Sequence, residues 1–449
     1  MKTSFCNDSN FFTKVNELLE LPGIALAFLG SKDSITIFIE PISCFLLPRA
    51  ENFSKQQKID SLNSLNNWLE KYRMGLEDNS ICGFLSYEAF HYTEELLSNI
   101  EDKFLFPAGF FCSYKRIINI TDKGYKISQN NLDQESLWDS KLSDEQIQII
   151  IEYAKLLLDA NRYTEMYSNL ECIKDINPAR YCSDTKIFTQ GVEQIKSKIL
   201  HGDVYQANLS LLFEAETKKI NSQLFLDSIN NEKANYAALL NCGLFKSDTY
   251  IISNSPETFI QKSQDFLLAA PIKGTIPSNS DPLLNKKAAL TLKSSPKDRA
   301  ELAMIVDLFR NDFGKVATVG SVRVGEFPEI MNLVHLHHLF AEISAKVAKD
   351  YSDVDIIFAC FPSGSISGAP KYTALSTISQ LEKTTRAIYC GGIFAFSRDG
   401  FSSSVAIRTA IKIKDKIFFR AGSGITIDSE SESELKESLT KAIGFLSAI

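Results

Sequence analysis

Residues 387–426, AIYCGGIFAFSRDGFSSSVAIRTAIKIKDKIFFRAGSGIT, decide the fold class of this 449-residue chain. Three runs rich in β-branched and aromatic residues follow one another here, at 387–397, 402–413 and 416–426. Gly and Asp residues between the runs supply turn signals, a pattern typical of successive antiparallel strands. The stretch therefore predicts an antiparallel sheet, followed by a closing helix over 431–446.

The rest of the chain predicts further strands with helices attached to them. Residues 1–130 alternate strand-like runs with one helical segment near 56–74. Ser143 and Gln146 have the spacing of a capping box, and Ser295 before Pro296 is a strong helix start. We divide the chain into an N-terminal portion, 1–175, whose last part predicts a helical connector, and a more informative portion, 176–449.

Composition excludes several classes of protein. The net charge of −7 provides no basic footprint for nucleic acid. No stretch approaches the roughly 20 apolar residues that span a bilayer, and the polar N-terminus lacks the apolar core of a signal peptide. Nine cysteines, an odd number without a CxxC pair, form a poor disulfide framework. These features predict a cytoplasmic protein with neither a nucleic acid nor a membrane as partner.

The segment LLAAPIKGTIPS, residues 267–278, places Lys273 directly after an apolar run, 267–272, that predicts a buried strand. An apolar setting lowers the pKa of a lysine and makes its neutral amine available as a nucleophile. Gly274 would let a ring approach the backbone closely. From the residues alone, a strand-end lysine that extends to solvent is the favoured interpretation of Lys273.

Other candidate groups are individually ambiguous. Glu301 lies on a helix face that is not plainly polar, and Glu434, Glu437 and Lys441 share a face of the last helix. Such carboxylates could bind Mg²⁺ or simply be solvated. The small-residue stretches 361–371 and 420–426 predict loops that either cradle an anion or form ordinary turns. Arg408, within a predicted strand, is either an anion anchor or an edge residue.

Nine segments together resemble the motifs of the chorismate-utilising family, which includes anthranilate, isochorismate, salicylate and aminodeoxychorismate synthases. They occur in family order between about residue 180 and the C-terminus: GDVYQANLS, NSPETF, PIKGT, KDRAELAMIVDLFRND, VHL, FPSGSISGAPK, YCGG, VAIRT and ExxESLTKA. The resemblance implies a single α/β unit of the α+β type, with two stacked antiparallel β-sheets flanked by helices.

The resemblance also implies roles for individual residues. Mg²⁺ would be held by Glu301 and Glu437, with Glu434 beside them, and His335 in VHL would face the reacting ring. The positions that match substrate-binding residues are Gln206, Gly274, Thr275, Tyr389, Arg408, Gly422, Ser423, Gly424 and Lys441.

Two positions separate the branches of the family. Branches that add water use a lysine base where this chain has Gln206, which cannot act as a base. Anthranilate-forming members carry alanine where this chain has Lys273. The resemblance therefore implies that Lys273 attacks C2 of chorismate, that Glu257 protonates the departing C4 hydroxyl, and that ammonia then adds at C4. Glu257 and Lys273 are spaced as on two adjacent strands of a hairpin.

The expected product is 4-amino-4-deoxychorismate, a precursor of 4-aminobenzoate and folate. A partner glutamine amidotransferase would supply the ammonia, because the chain carries no glutaminase-like cysteine motif. The alternatives are an anthranilate-forming enzyme and a catalytically silent homologue. The chain departs from the family at Ile276, Pro277 and Ser278, and residues 235–240 do not resemble the tryptophan-binding segment of other members, so tryptophan regulation is not expected.

Overall fold

A computed structural model of the chain describes residues 9–31, 33–73, 79–96, 100–130, 132, 135–138, 141–163, 176–182, 185–231, 235–277, 281–332 and 336–449. The α-helices within these residues are α1 Ser9–Leu19, α2 Lys55–Arg73, α3 Asp144–Tyr163, α4 Thr185–Leu200, α5 Asn221–Asn231, α6 Pro282–Ser294, α7 Pro296–Gly314, α8 Asp353–Cys360, α9 Lys371–Leu381 and α10 Ser431–Leu446. Short 3₁₀ helices cover Tyr87–Tyr92 and Pro178–Tyr181.

The strands in the first half of the chain are β1 Ala25–Ala27, β2 Ser34–Leu47, β3 Ile81–Leu85, β4 Gly109–Thr121, β5 Gly124–Gln129, β6 Gln206–Glu216, β7 Tyr236–Asn241 and β8 Thr249–Ser255. Those in the second half are β9 Thr258–Ser263, β10 Phe266–Ala269, β11 Ile272–Pro277, β12 Arg323–Val324, β13 Glu329–Asn332, β14 Leu336–Phe340, β15 Ile343–Lys346, β16 Gly368–Ala369, β17 Gly392–Ser397, β18 Gly400–Val405, β19 Thr409–Ile413 and β20 Lys416–Ile425.

The described strands form two antiparallel sheets. The larger contains 17 strands, and its longest ladders join β2 to β4 and β6 to β20. The smaller contains β11, β14 and β13 in that order. A mixed α/β fold with antiparallel sheets and flanking helices, as the sequence predicted, is therefore confirmed.

The hydrophobic core joins the two portions of the chain. One cluster of buried residues includes Phe12 and Tyr153 from the first portion and Phe213, Phe419 and Phe445 from the second. The helix α3, which lies in the predicted connector, contributes to this cluster with one fully buried face. Burying these rings stabilises the joint core, since a fully buried large apolar side chain contributes about 1.5–3 kcal/mol.

Local signals placed several helices correctly. Gln146 N donates to Ser143 Oγ at 3.2 Å, and Ser143 N donates to the Gln146 side chain at 2.9 Å, which is the predicted capping box at the start of α3. The Oγ of Ser295 caps α7 by accepting from Asp298 N. None of the helices within the described ranges has the length and apolar character that crossing a membrane requires.

Two strand predictions were wrong. The apolar run before Lys273 is not one strand, because β10 ends at Ala269 and β11 begins at Ile272 in the other sheet. The predicted strand 402–413 is likewise two strands, β18 and β19. Arg408 lies in the break between them with a φ of +48°, so it does not follow a strand alternation.

Candidate active site

Lys273 lies on β11, opposite the fully buried Leu339 of β14. The ladder shifts register directly after Lys273, and Gly274 is the extra residue of this bulge with a φ of +61°. Glycine suits such a bulge because it adopts positive φ without strain. A Cβ on Gly274 would also lie 2.8 Å from a carboxylate oxygen of Asp298 on α7. The described contacts of Gly274 are those of a bulge packed on a helix, and close approach of a ring to its backbone stays a prediction.

Glu257 lies in the two-residue connection between β8 and β9 and is 6% exposed. Its carboxyl group interacts with the Ser365 side chain, while Oε1 has no hydrogen-bond partner among the described residues. The backbone holds this residue firmly, because Val405 N donates to its carbonyl at 3.0 Å. One carboxyl oxygen is therefore buried without a hydrogen-bond partner among the described residues.

The amine of Lys273 and the carboxyl group of Glu257 are electrostatic neighbours. Burial lowers the pKa of Lys273 by disfavouring its charged form, although Glu257 and Glu301 oppose that shift. Burial raises the pKa of Glu257, although Ser365 and Lys273 oppose it. The two residues are not on adjacent strands of one hairpin as predicted: Glu257 precedes β9, whereas Lys273 lies beyond β10 in the smaller sheet. The fold still brings them together.

Three predicted acidic residues surround the same region. Glu301 on α7 and Glu437 on α10 both interact electrostatically with Lys273, and Glu434 interacts with Glu301. Burial raises the pKa of Glu301, and the negative charges of Asp298 and Glu434 raise it further, against Lys273 and Lys297. These carboxylates repel one another, which is the electrostatic setting that a cation would relieve.

The present side-chain positions do not form a complete metal cage. No group of three or more His, Cys, Asp or Glu side chains in the described part of the chain could hold a metal ion. Glu437 instead pairs with Lys441 at 2.7 Å, and Glu434 accepts a hydrogen bond from Ser429 Oγ at 2.6 Å. Mg²⁺ commonly uses one or two carboxylates plus waters and substrate oxygens, so two of these glutamates suffice to fit it.

Residues 420–425 form the end of β20, which confirms the strand predicted over 416–426 and corrects the loop that the small residues of 420–426 predicted. Gly422 and Gly424 face Ser210 and Asn208 in the ladder with β6. The amides of Ser210 and Asn208 donate elsewhere, to the Glu382 carboxylate and the Ser367 carbonyl. Gly422–Ser210 and Gly424–Asn208 are therefore the non-hydrogen-bonded pairs of this antiparallel ladder. In such a pair the amides of both residues point away from the partner strand, so the amides of Gly422 and Gly424 point away from β6.

That outer edge of β20 is open beside these glycines. The pairing of β19 with β20 ends at Phe419, and Lys441 Nζ donates to the Gly422 carbonyl at 3.0 Å on this edge. The amide of Ser423 alternates to the opposite side and faces β6. The Ser423 side chain is buried, at 2% exposure, and its Oγ has no hydrogen-bond partner among the described residues. Two outward amides and a lysine ammonium suit a carboxylate ligand.

Gln206 begins β6 and fills the space over Gly424. A Cβ on Gly424 would lie only 2.0 Å from Gln206 Nε2, so any side chain at 424 would displace the glutamine. Gln206 is 2% exposed, and its Oε1 lacks a hydrogen-bond partner in the described residues. A buried, unpaired amide oxygen is costly, which suits an amide that awaits a polar ligand.

Arg408 and Tyr389 lie on segments next to the ends of β17 to β19. The Arg408 carbonyl accepts from Asn254 N at 3.0 Å, and Arg408 interacts electrostatically with His338. Tyr389 is 5% exposed, and burial raises the pKa of its hydroxyl well above the usual value. That hydroxyl is therefore a donor at any physiological pH.

His338, which the sequence interpretation did not assign to the site, lies beside the bulge. Its Nδ1 is 3.3 Å from the Gly274 carbonyl oxygen. The predicted His335 and the side chain of Thr275 lie outside the described residues. Ser365 was also missed, although the small-residue segment 361–371 that contains it was recognised as a candidate. In each case only the tertiary contact identifies the residue.

Comparison with known proteins places this architecture in a family. Residues 24–447 match the family model for chorismate binding enzyme, and the chain therefore belongs to the chorismate binding enzyme family. Aminodeoxychorismate synthase component 1 from Escherichia coli K12 is 39% identical over 249 residues, which cover 55% of this chain and 54% of that protein. The matched region thus spans about half the length of this curated relative.

Relatives with other names are also similar. Anthranilate synthase component 1 from Bacillus subtilis 168 is 32% identical over 345 residues, covering 76% of this chain and 63% of that protein. The crystal structure of anthranilate synthase component I from Streptococcus pneumoniae TIGR4 has a TM-score of 0.71 at 24% identity and covers 92% of both chains. This last likeness bears on the fold alone.

Proposed function

We propose that this chain converts chorismate and ammonia to 4-amino-4-deoxychorismate. The observation that carries the proposal is the juxtaposition of a lysine whose pKa is lowered, mainly by burial, with a carboxyl group whose pKa is raised, mainly by burial. One group is thereby suited to act as a nucleophile and the other as an acid. The similarity to aminodeoxychorismate synthases supports the same conclusion.

The reaction proceeds in two displacement steps. Neutral Lys273 Nζ bonds to C2 of chorismate, both conjugated ring double bonds shift by one position, and the C4–oxygen bond breaks as Glu257 donates its proton, so that water departs. Ammonia then bonds to C4, both double bonds shift back, and the C2–nitrogen bond breaks. Lys273 leaves as an amine, and the proton lost by ammonia restores the acid form of Glu257. The sum is chorismate plus ammonia giving 4-amino-4-deoxychorismate and water.

The surrounding groups bind the substrate carboxylates. The amides of Gly422 and Gly424, Lys441 and Arg408 supply donors around the Lys273 amine. Glu301 and Glu437, with Glu434 beside them, would hold Mg²⁺, which when bound neutralises a carboxylate of the substrate. His335 remains the residue expected to face the reacting ring, and His338, whose Nδ1 lies 3.3 Å from the Gly274 carbonyl oxygen, lies beside the bulge that carries Lys273.

Ammonia reaches this site from a separate glutamine amidotransferase subunit in the proposed scheme. The support is that the matching relatives are named as component 1 proteins, a name that implies a second component. We further propose that the protein works in the cytoplasm, where chorismate is metabolised, in the supply of 4-aminobenzoate for folate.

The deciding experiment supplies the purified chain with chorismate, Mg²⁺ and an ammonium salt and identifies the product by liquid chromatography and mass spectrometry. We expect 4-amino-4-deoxychorismate, which yields 4-aminobenzoate only after a lyase is added. Release of anthranilate or isochorismate by the chain alone would overturn the proposal. Inactivity with a well-folded, Mg²⁺-loaded protein would favour the silent homologue.

Variants of Lys273 test the covalent step. Lys273→Ala and Lys273→Arg should both lose at least roughly a hundredfold in turnover, since neither can supply a neutral amine. Lys286→Ala, a change of an exposed lysine on α6, should leave turnover unchanged. With ammonia withheld, the tryptic peptide that contains Lys273 should carry a chorismate-derived adduct, and an unmodified peptide would count against covalent catalysis.

Anthranilate formation is the second candidate, favoured by the likeness to anthranilate synthase component 1 over 76% of this chain. In that reaction ammonia itself attacks C2, which requires open space there. Lys273 occupies the corresponding position and makes this candidate the weaker one.

A further inference from the structure

A buried ion cluster lies beneath the candidate site, formed by Glu382, Arg386 and Arg420. The side chains of Glu382 and Arg386 are 3% and 1% exposed. Arg386 donates to both carboxylate oxygens of Glu382, at 2.7 and 2.9 Å, and Arg420 lies 3.4 Å from one of them. Ser210 adds its amide at 3.0 Å and its hydroxyl at 2.8 Å, so the carboxylate is fully satisfied.

The Arg386 guanidinium connects segments that carry candidate site residues. It donates at 2.9 Å to the carbonyl of Asn208 on β6, two residues after Gln206. It donates at 3.2 Å to the carbonyl of Ile366, the residue after Ser365. One guanidinium therefore fixes both the strand that begins with Gln206 and the segment whose Ser365 interacts with the Glu257 carboxyl group.

The same guanidinium lies against two aromatic rings. Its central carbon is 5.6 Å from the ring centroid of Tyr389 and 4.6 Å from that of Tyr87. A planar cation against two aromatic rings restricts the orientation of both rings. The cation–π attraction between them strengthens where water is excluded. Tyr389 is one of the residues placed in the substrate site, so its ring orientation depends on Arg386.

Stability alone does not account for this cluster. A buried ion pair is weak support for stability, because desolvation offsets much of its attraction and well-packed apolar residues often serve as well. The guanidinium fork differs in that its five donors fix several acceptors in one plane, which a lysine cannot reproduce. The contacts of Arg386 use this property, because they extend to three separate segments.

We propose that Arg386, oriented by Glu382, is a positioning residue that sets the shape of the chorismate pocket. It acts through Tyr389, Asn208 and the 361–371 segment and touches no reacting atom. This inference rests on the proposed function in so far as chorismate is the ligand of the pocket. It concerns substrate binding and not the choice of product.

The test compares Arg386→Lys with Arg116→Lys as a matched control. Arg116 on β4 forms a similar fork with Glu40, where Arg116 Nε donates at 2.8 Å, in a part of the fold with no assigned site residue. Arg386→Lys should raise the KM for chorismate by roughly tenfold or more while kcat and the KM for ammonium change little, since misplaced binding groups weaken productive binding. Arg116→Lys should leave both KM values unchanged.

Glu382→Gln provides a second variant that keeps an acceptor for Arg386 while removing the charge. It should raise the KM for chorismate less than Arg386→Lys does. The inference is overturned if Arg386→Lys, with wild-type circular dichroism, keeps the wild-type KM for chorismate, or if both KM values rise together. A wild-type product other than 4-amino-4-deoxychorismate would refute the proposed function and leave this comparison of KM values intact.

Discussion

His338 and Gly274 are joined across the ladder between β11 and β14, with His338 Nδ1 3.3 Å from the Gly274 carbonyl oxygen. Because a carbonyl only accepts, Nδ1 carries the proton and Nε2 of the neutral ring remains an acceptor. Burial lowers the pKa of His338, and Arg408 and His337 lower it further against the opposing hydrogen bond to Gly274. The ring is therefore neutral at pH 7.

Two substitutions of His338 separate its structural contact from its chemistry. His338→Asn retains a donor for the Gly274 carbonyl but loses the Nε2 acceptor, whereas His338→Ala loses both. If Nε2 takes part in proton transfer, both variants should lower kcat by about 10²-fold or more, and only His338→Ala should also lower the melting temperature. Steady-state kinetics and thermal unfolding measure the two effects.

The matched control for His338 is His201→Ala, a change of an exposed histidine just after α4. It should alter neither kcat nor the melting temperature. Wild-type kcat in His338→Asn would show that the ring contributes only the contact to Gly274.

Gly274 should tolerate no side chain. Gly274→Ala forces a residue with a Cβ into a φ of +61° and places that Cβ within 3.0 Å of Asp298. Gly202→Ala is the control, since Gly202 has a φ of +82° but no atom within 4 Å of the added Cβ. The control should lose roughly 1–2 kcal/mol of unfolding free energy from backbone strain alone. Gly274→Ala should lose more in urea titrations and also lose activity; equal losses would contradict the role of the Asp298 contact.

Local chemistry made part of the fold predictable. A serine before a proline marks the start of α7, and a run of helix-forming residues marks α10, because capping and helix propensity act within a few residues. The antiparallel sheet was likewise readable from short alternating runs bounded by turn residues. These signals need no knowledge of distant contacts.

The remaining features depend on partners far along the chain. Residues 420–425 contain small residues typical of a loop, yet the long ladder with β6 makes them a strand. Lys273 leaves the larger sheet because β14 and the helices α6 and α7 pack around β11, and nothing near Lys273 in the sequence reports those contacts. Ser365 meets Glu257 only in the folded chain. The resemblance to the family identified most candidate residues, whereas their geometry required the structure.

The acidic residues around Lys273 should govern a requirement for Mg²⁺. Removing free Mg²⁺ with a chelator should abolish turnover, and adding it back should restore it. Glu301→Gln and Glu437→Gln should each raise the Mg²⁺ concentration for half-maximal activity by at least roughly 10–100-fold. Substituting residues that only hydrogen-bond to a metal ligand already weakens metal affinity by this range. Titrating activity against Mg²⁺ measures this shift.

Glu432→Gln is the control for those titrations, because Glu432 is exposed on α10, close in sequence to Glu434. It should leave the Mg²⁺ dependence unchanged. A Glu301→Gln variant with the wild-type Mg²⁺ dependence would remove Glu301 from the proposed metal site.

The pH dependence of kcat/KM should be bell-shaped, with both limbs set by the Lys273–Glu257 pair. Protonated Lys273 cannot attack, so activity rises with pH as the amine becomes neutral. Ionised Glu257 cannot donate a proton, so activity falls at higher pH as the carboxyl group is lost. Burial lowers the pKa of Lys273 and raises that of Glu257. Both shifts increase the fraction of enzyme molecules that carry a neutral Lys273 amine and a protonated Glu257 at the same time. Because the groups interact, the apparent pKa values belong to the pair.

Glu257→Gln isolates the acid in that profile. The variant should lose about 10²–10⁴-fold in kcat. Its remaining activity should lack the decrease at alkaline pH that ionisation of Glu257 causes in the wild type. Glu94→Gln is the matched control, because burial also raises the pKa of Glu94 although it lies outside the candidate site. That variant should keep both the rate and the shape of the profile. An unchanged alkaline limb in Glu257→Gln would assign the acid to another group and leave Glu257 as a residue that only orients Lys273.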